Sequence, residues 1–298
     1  MVYVITGATS FIGIELIQHL HFSGEEVIAV CRNNSKKISK LPKGVRIVNA
    51  TMDEYENLHT LILHADIFIH LAWEGTGHSG RDLENIQNKN ISNTLAAMIS
   101  SHKMGCKLFV VSGSQAEYGI VNTTITEETE CNPFSEYGRA KLEVLKQGIT
   151  LSQELGLKYI HLRIFSIYGE NDHPWTLFST CVNKMINNEE ISLSNCTQYW
   201  NFLYVKDAVL LILKLCNRCL IDENFHYDIY NIASNDTRVL KDYIEEIRNL
   251  LSSKSILKYG DIKGTNIVSL QPSIDKIMNT IGDFSFTSFN NVIRKYND

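Results

Sequence analysis

The residues with the clearest chemical meaning are Tyr137 and Lys141, which lie four positions apart in the stretch that begins at Ser135. Side chains with this spacing share one face of a helix. A free phenol has a pKa of about 10, and an ammonium one turn away favours the phenolate and lowers that value. The pair therefore predicts a tyrosine that exchanges protons near neutral pH, although the same spacing also occurs on helix surfaces without catalytic roles.

The length and composition limit the possible functions. The chain has 298 residues, 44% hydrophobic and 20% charged, as in an ordinary globular protein. This length fits one large α/β domain, or a nucleotide-binding domain with a smaller companion lobe. The net charge of -5 and a pI near 6.1 give no basic surface for nucleic acid, so we expect no nucleic-acid partner.

Neither a membrane segment nor a metal site is expected. No apolar run approaches the roughly 18 residues of a membrane span, and a first strand starting at residue 2 leaves no room for a signal peptide. The seven cysteines show no secreted disulfide spacing, and Cys216 and Cys219 lack the second pair that a zinc site requires. We therefore expect a cytoplasmic protein with reduced thiols.

The N-terminus has the pattern of a nucleotide-binding unit. Val2–Ile5 reads as a strand, the glycine-containing stretch Thr6–Gly13 as a tight turn, and the following residues as a helix. Such a turn points backbone N–H groups and the positive helix end at a phosphate. A second strand at Val27–Val30 completes the pattern, which predicts dinucleotide binding.

Four motifs together resemble the extended short-chain dehydrogenase/reductase family, in its nucleotide-sugar branch. They are Thr6-Gly7 with Gly13, His70-Leu71-Ala72, Ser112-Gly113-Ser114, and Tyr137 with Lys141. The resemblance covers nearly the whole chain. Ser10 departs from the usual middle glycine of the turn, where a small residue should be tolerated.

The resemblance implies an α/β fold, with a Rossmann-type doubly wound parallel sheet and a smaller α/β C-terminal substrate lobe. We expect residues 1–168 and about 205–234 to form the NADP(H)-binding domain. Residues of about 169–204 and 235–298 should form the substrate-binding lobe. Elsewhere the pattern predicts a helix at 53–64, a fifth strand at 107–111 followed by the serine cluster, and an exit loop after the sixth strand. By resemblance, a helix at 82–104 pairs with the tyrosine-bearing helix in a homodimer.

The resemblance also assigns the chemistry. Ser114 would hold a reacting carbonyl oxygen, Tyr137 would supply its proton as hydride arrives from a nicotinamide, and Lys141 would orient the ribose and lower the tyrosine pKa. Sugar-nucleotide 4,6-dehydratases have an Asp-Glu pair where this chain has Gln115 and Ala116, and GDP-fucose synthases have a cysteine in place of Ala116. The resemblance therefore favours hydride transfer at a carbonyl or alcohol.

The end of the second strand bears on the cofactor. NAD enzymes usually place an acid there, whereas a basic residue accommodates the 2′-phosphate of NADP. Residues 31–37 contain no acid and include Arg32, so NADP(H) is favoured, NAD(H) remains possible, and Arg32 as a solvated loop residue is the alternative. By resemblance, the cofactor-binding residues are Gly7, Ser10, Phe11, Ile12, Gly13, Arg32, Leu71, Ala72, Asn90, Ser112, Tyr137, Lys141 and Phe165.

Substrate contacts are expected from Ser114, Gln115, Ser166 and Trp200. Many family members have Arg-Asp-Phe where this chain has Trp200-Asn201-Phe202, so the usual arginine contact with the substrate pyrophosphate is missing. His70 is expected to pack beside the cofactor.

The function implied is an NADP(H)-dependent reductase of a nucleotide-linked 4-keto-6-deoxyhexose in surface-polysaccharide synthesis. The alternatives are a 4-epimerase with tightly bound NAD and a non-catalytic dinucleotide sensor.

Overall fold

The computed structural model describes residues 1–77, 79–263 and 268–297. Within them the strands are β1 (Val2–Thr6), β2 (Glu26–Cys31), β3 (Arg46–Asn49), β4 (Ile67–His70), β5 (Leu108–Ser114), β6 (Lys158–Ile164), β7 (Ser166–Tyr168), β8 (Ile191–Ser192), β9 (Tyr199–Tyr204), β10 (Tyr227–Ile232), β11 (Thr237–Val239) and β12 (Leu257–Lys258). The α-helices are α1 (Phe11–Phe22), α2 (Leu58–Leu61), α3 (Glu84–Lys103), α4 (Glu136–Leu155), α5 (Leu177–Ile186), α6 (Val205–Ile221), α7 (Leu240–Leu250), α8 (Asp275–Ile281) and α9 (Phe289–Arg294).

The central sheet has seven strands in the order β10-β6-β5-β4-β1-β2-β3. The pairings from β6 across to β3 are parallel, which confirms the predicted α/β fold with a parallel sheet. In chain order, β2 and β3 are added on one side of β1, and β4 is then added on the other side of β1. Ligands of open parallel sheets bind at the carboxyl ends of the strands beside such a reversal, so the loops after β1 and β4 are where a cofactor is expected.

The chain divides into two compact units. The first contains residues 1–119, 130–164 and 209–230, and the second contains residues 120–129, 165–208 and 231–298. The second unit has a three-stranded sheet in the order β11-β9-β7 and a two-stranded sheet of β12 and β8. Residues 264–267 and 298 of the predicted substrate lobe lie outside the described residues.

Packing of apolar side chains fixes the positions of the central strands. All four residues of β4 are buried, as the continuous apolar run predicts for a central parallel strand. Phe68 of β4 stacks on Phe109 of β5 with ring centroids 5.3 Å apart, and Phe109 stacks on Tyr159 of β6 at 6.5 Å. This contiguous core holds the carboxyl ends of β4, β5 and β6 at fixed spacing.

Three sequence predictions were wrong in their boundaries. Strand β5 extends through residues 112–114, because these residues continue the parallel ladder with β6. The predicted helix at 53–64 is a 3₁₀ helix at Met52–Asn57, capped by Thr51, followed by α2. The predicted exit loop after β6 contains strand β7, which pairs with β9.

Among the described residues, none of the helices is long and apolar enough to cross a lipid bilayer.

Candidate active site

The glycine turn after β1 is shaped by close backbone contact with the end of β4. Gly7 has a φ of +65°, and a Cβ at this position would lie 2.7 Å from the Ala72 nitrogen and the Leu71 carbonyl carbon. At Gly13 a Cβ would press against the Gly7 carbonyl oxygen. Both positions therefore require glycine, and the turn brings Leu71 and Ala72 beside the start of α1.

Ser10 is the N-cap of α1. Its Oγ accepts a hydrogen bond from the Gly13 amide at 3.1 Å, and its own amide donates to the Gly7 carbonyl at 2.8 Å. Phe11 and Ile12 form the half-buried first residues of the helix. A glycine turn at the amino end of a 12-residue helix fits the diphosphate of a dinucleotide, because helix amides and the helix dipole favour an anion there.

Arg32 directly follows β2 and is exposed. Within the described part of the chain, no carboxylate lies within ion-pair distance of its guanidinium, and residues 31–37 contain no acid. Ser35 Oγ donates to Thr9 Oγ1 at 3.0 Å, which ties this segment to the glycine turn. The arginine is thus available to an anionic group near the carboxyl end of β2.

His70 is a buried, neutral residue in a hydrogen-bonded chain. Thr94 Oγ1 donates its proton to the Asn90 carbonyl at 2.8 Å, so it must accept from His70 Nε2, which lies 3.1 Å away. His70 Nδ1 then accepts from Thr6 Oγ1 at 2.9 Å. Burial lowers the pKa of His70 to about 3, and its contacts are those of a structural residue.

Helix α3 holds the loop between β4 and α3 in place. Asn90 binds the backbone of Glu74 twice, accepting from its nitrogen at 3.0 Å and donating to its oxygen at 2.9 Å. Gln87 donates to the Gly80 carbonyl at 2.9 Å and accepts from Trp73 Nε1 at the same distance. Asn90 therefore acts on the loop through Glu74, while Gln87 fixes the indole of Trp73.

Tyr137 and Lys141 lie one turn apart near the start of α4, where Ser135 caps the helix by accepting from the Gly138 amide at 3.1 Å. Lys141 Nζ donates to the Ser112 carbonyl at 2.5 Å and lies 3.5 Å from the centroid of the Trp73 ring. Burial lowers the pKa of Lys141 to about 7. Burial therefore disfavours the charged form of this lysine.

The Tyr137 ring is enclosed by side chains of the preceding loop. Trp73 meets it edge to face at 6.0 Å, and Arg81 Cζ lies 4.3 Å from its centroid. Burial raises the pKa of Tyr137, and a hydrogen bond with Ser114 and the charge of Arg81 only partly offset this effect. Lys141 Nζ lies 5.8 Å from the ring centroid and donates to the Ser112 carbonyl. The lowering of the Tyr137 pKa by Lys141 stays a prediction.

A buried carboxylate that was not predicted from the sequence holds Ser114 in place. The Ser114 amide donates to Glu117 Oε1 at 2.8 Å, and its Oγ accepts from the Ala116 amide at 3.1 Å. Glu117 is fully buried and also binds His161 Nε2 and Arg163 Nε, each at 2.9 Å.

Burial alone would raise the pKa of Glu117, but His161, Arg163 and the Ser114 amide hold it below its ordinary value. At Gly113 a Cβ would collide with both His161 and Glu117. The signal for this network was present in the sequence, because His161 and Arg163 interrupt the apolar run of β6.

In the first unit the predicted catalytic and neighbouring side chains lie in one cluster, which contains Ser112, Ser114, Tyr137 and Lys141. Gln115, directly after Ser114, is half-buried.

In the second unit Phe165 is buried, and Ser166 and Trp200 belong to the same three-stranded sheet, in β7 and β9 respectively. Trp200 pairs with Arg238 of β11. The buried Trp200 Nε1 has no hydrogen-bond partner among the described atoms.

The curated proteins that resemble this chain along most of its length include two enzymes of deoxysugar nucleotides. The dTDP-4-dehydro-6-deoxyglucose reductase of Escherichia coli is 26% identical over 94% of this chain and 91% of its own length. The dTDP-6-deoxy-L-talose 4-dehydrogenase (NAD(+)) of Aggregatibacter actinomycetemcomitans is 26% identical over 82% of this chain and 88% of its own.

Among solved structures, UDP-glucose 4-epimerase from Thermotoga maritima has the same fold, with a TM-score of 0.87 at 21% identity over 99% of this chain and 96% of that one. A family model described as "NAD dependent epimerase/dehydratase family" matches residues 3–233. The chain therefore belongs to the NAD-dependent epimerase/dehydratase family and is an enzyme of the NAD(P)-dependent oxidoreductase type.

Proposed function

We propose that this enzyme is an NADP(H)-dependent reductase of a nucleotide-linked keto-sugar, with 4-keto-6-deoxyhexose nucleotides as its substrate class. The observation that carries the proposal is the cluster of the buried Ser114 and Lys141 with the half-buried Tyr137, with no second acid-base pair directly after the serine. Gln115 and the buried Ala116 occupy those positions, so this segment supplies no groups for eliminating water. The similarity to a 4-dehydro-6-deoxysugar reductase over most of both chains supports the same substrate class.

Ser114, Tyr137 and Lys141 each have a separate role in the proposed reduction. When bound, the nicotinamide supplies the hydride to the carbonyl carbon. The Ser114 hydroxyl hydrogen-bonds the carbonyl oxygen, and Tyr137 transfers its phenolic proton to that oxygen. The resulting phenolate then recovers a proton from solvent. Lys141 binds the ribose next to the reacting carbonyl and orients it.

The remaining predicted binding residues are assigned to the cofactor and to the sugar nucleotide. We propose that Gly7, Ser10, Phe11, Ile12 and Gly13 hold the cofactor diphosphate at the amino end of α1. Leu71, Ala72, Asn90, Ser112 and Phe165 would line its remaining surface. Gln115, Ser166 and Trp200 would contact the sugar nucleotide. The unpartnered indole N–H of Trp200 supports its inclusion, because a buried donor is stabilised by an acceptor.

The preference for NADP(H) rests on Arg32 and on the absence of an acid after β2. The Arg32→Ala variant should bind NADPH more weakly by roughly 1.5–3 kcal/mol, the range for a hydrogen bond to a charged group. Binding of NADH should hardly change, and the Lys43→Ala variant, which removes an exposed positive charge elsewhere, should leave both affinities unchanged. Calorimetric titration with each cofactor measures the difference. Equal losses of affinity for both cofactors, or no loss for either, would show that Arg32 does not bind the 2′-phosphate of NADPH.

A 4-epimerase is the second candidate, favoured by the fold shared with UDP-glucose 4-epimerase. The two functions treat their cofactor differently, because a reductase releases oxidised cofactor in every cycle whereas an epimerase regenerates it in place. We expect the purified protein to contain little bound nicotinamide and to oxidise one NADPH for each keto-sugar nucleotide consumed. Near-stoichiometric bound NAD, with interconversion of two sugar nucleotides and no added cofactor, would establish the epimerase instead.

A further inference from the structure

The Glu117 carboxylate is held by different donors on its two oxygens. Its Oε2 accepts from Arg163 Nε at 2.9 Å, and its Oε1 accepts from His161 Nε2 at 2.9 Å and from the Ser114 amide at 2.8 Å. An ionised carboxylate only accepts hydrogen bonds, and its lowered pKa keeps Glu117 ionised at neutral pH. His161 Nε2 therefore carries a proton.

His161 is tightly packed within this network. Its side chain is fully buried on β6, which pairs in parallel with β5. A Cβ at Gly113 of β5 would lie 2.2 Å from His161 Nε2 and 2.6 Å from Glu117 Oε1, so these two side chains fill the space that the glycine leaves open. The other ring nitrogen, Nδ1, lies 3.0 Å from the Tyr159 hydroxyl. The imidazole is thus held at both of its nitrogens.

His161 supplies the second anchor that the carboxylate needs. A guanidinium can bind both oxygens of a carboxylate through two parallel hydrogen bonds, and rotation about the last side-chain bond of a glutamate is only weakly restricted. Arg163 alone would therefore leave the position of Glu117 Oε1 undetermined. The hydrogen bond from His161 Nε2 keeps this oxygen beside the Ser114 amide.

Ser114 is fixed through both its backbone and its side chain. It is the N-cap of the 3₁₀ helix at Gln115–Glu117, and its Oγ accepts from the Ala116 amide at 3.1 Å. Its own amide donates to the Glu117 carboxylate, which completes a capping box. The hydroxyl accepts from an amide and keeps its single proton for donation, which is the role proposed for it towards the carbonyl oxygen.

We propose that His161 is a positioning residue for Ser114 and acts through the Glu117 carboxylate. By fixing Oε1 of Glu117, the buried imidazole fixes the Ser114 backbone and hence the direction of the serine hydroxyl. The inference rests on the proposed catalytic role of Ser114. It gives a role in the active site to a side chain of β6 that binds Glu117 rather than the reacting groups.

The Ser114 amide can be observed directly by NMR on protein labelled with ¹⁵N-serine, where its resonance is assigned by its loss in Ser114→Ala. A hydrogen bond to a carboxylate is stronger than one to a neutral acceptor and moves the amide proton downfield. The His161→Leu variant removes the anchoring donor at similar volume, so this proton should move upfield. The His161→Gln variant should keep the wild-type position, because its amide nitrogen can replace Nε2 as the donor.

The second measurement is the rate of NADPH oxidation with saturating keto-sugar nucleotide. His161→Leu should lower kcat roughly tenfold, which is less than the 10²-fold that misplacement by an ångström can cost, and His161→Gln should restore most of this loss. Affinity for NADPH should be unchanged in both variants. In a Ser114→Ala background, His161→Leu should cause no further loss, because residues that act through one group are not additive.

The matched control is Leu211→Ala, which removes a fully buried side chain from α6 and destabilises the fold by leaving a cavity. It should leave both the Ser114 resonance and kcat unchanged. The proposal is overturned if the Ser114 resonance of His161→Leu matches the wild type, or if Leu211→Ala moves it equally. It is also overturned if His161→Leu lowers kcat by the same factor with and without the Ser114 hydroxyl.

The NMR measurement needs neither cofactor nor substrate, so it is independent of the proposed function. A shifted Ser114 resonance in His161→Leu, together with unchanged turnover in Ser114→Ala, would support the positioning of Ser114 by His161 while refuting the catalytic role of the serine.

Discussion

Replacing Tyr137 by phenylalanine should lower turnover by about 10² or more, because the substitution removes the proton donor for the carbonyl oxygen. Contacts of the ring with Trp73 and Arg81 do not involve the hydroxyl, so the fold and the cofactor site should survive. Cofactor affinity is expected to stay within a few-fold of wild type. The measurement is kcat with saturating NADPH and keto-sugar nucleotide, alongside a fluorescence titration of NADPH.

The control is Tyr227→Phe, which removes a phenolic hydroxyl from the partly exposed first residue of β10. Its turnover should match the wild type. A Tyr137→Phe enzyme with kcat within threefold of wild type would remove Tyr137 from the mechanism.

Replacing Glu117 by glutamine should lower the free energy of unfolding by about 3–5 kcal/mol, the cost of leaving a buried charge without its partner. The uncompensated group is Arg163, which is 3% exposed and donates to the Glu117 carboxylate at 2.9 Å. Denaturant unfolding measures the change. Because Glu117 also binds the Ser114 amide, kcat of the folded fraction should fall as well.

The pH dependence gives a second test of Glu117. Its pKa is lowered in the folded protein relative to the ordinary 4.5, so its stabilisation is fully present above the unfolded pKa and is lost as the pH falls through the folded pKa. The difference in stability between wild type and Glu117→Gln should therefore narrow below about pH 4.5. The control, Asp53→Asn, breaks an exposed pair with Lys89 and should lower the stability far less than Glu117→Gln, because solvent screens exposed ion pairs. Equal losses in the two variants would show that the Glu117 network is not a buried ion pair.

Local sequence patterns predicted the first elements of the fold well. The β1 residues, the glycines at 7 and 13, and the second strand lie together in the sequence, and each has a strong conformational preference. The spacing of Tyr137 and Lys141 likewise placed both in the first turns of α4. Boundaries were less accurate, because the extension of β5 through Ser114 depends on pairing with β6, about fifty residues later.

The sequence did not reveal the side chains that surround the reactive residues. Arg81 reaches Tyr137 from a loop more than fifty residues earlier, and Glu117 binds Arg163 across a similar separation. Such contacts depend on the order of strands in the sheet, which local periodicity does not encode. The hydrogen bond from Lys141 Nζ to the Ser112 carbonyl likewise depends on the placement of α4 beside β5.

The central claim, net reduction by an external nicotinamide, is tested most directly by following the hydride. The enzyme is incubated with a nucleotide-linked 4-keto-6-deoxyhexose and NADPH that carries deuterium at the transferable position, and the product is analysed by NMR and mass spectrometry. Net reduction predicts one deuterium at the former carbonyl carbon of each product molecule and one NADP⁺ formed per product. A product without deuterium, formed while the added NADPH remains unconsumed, would contradict it.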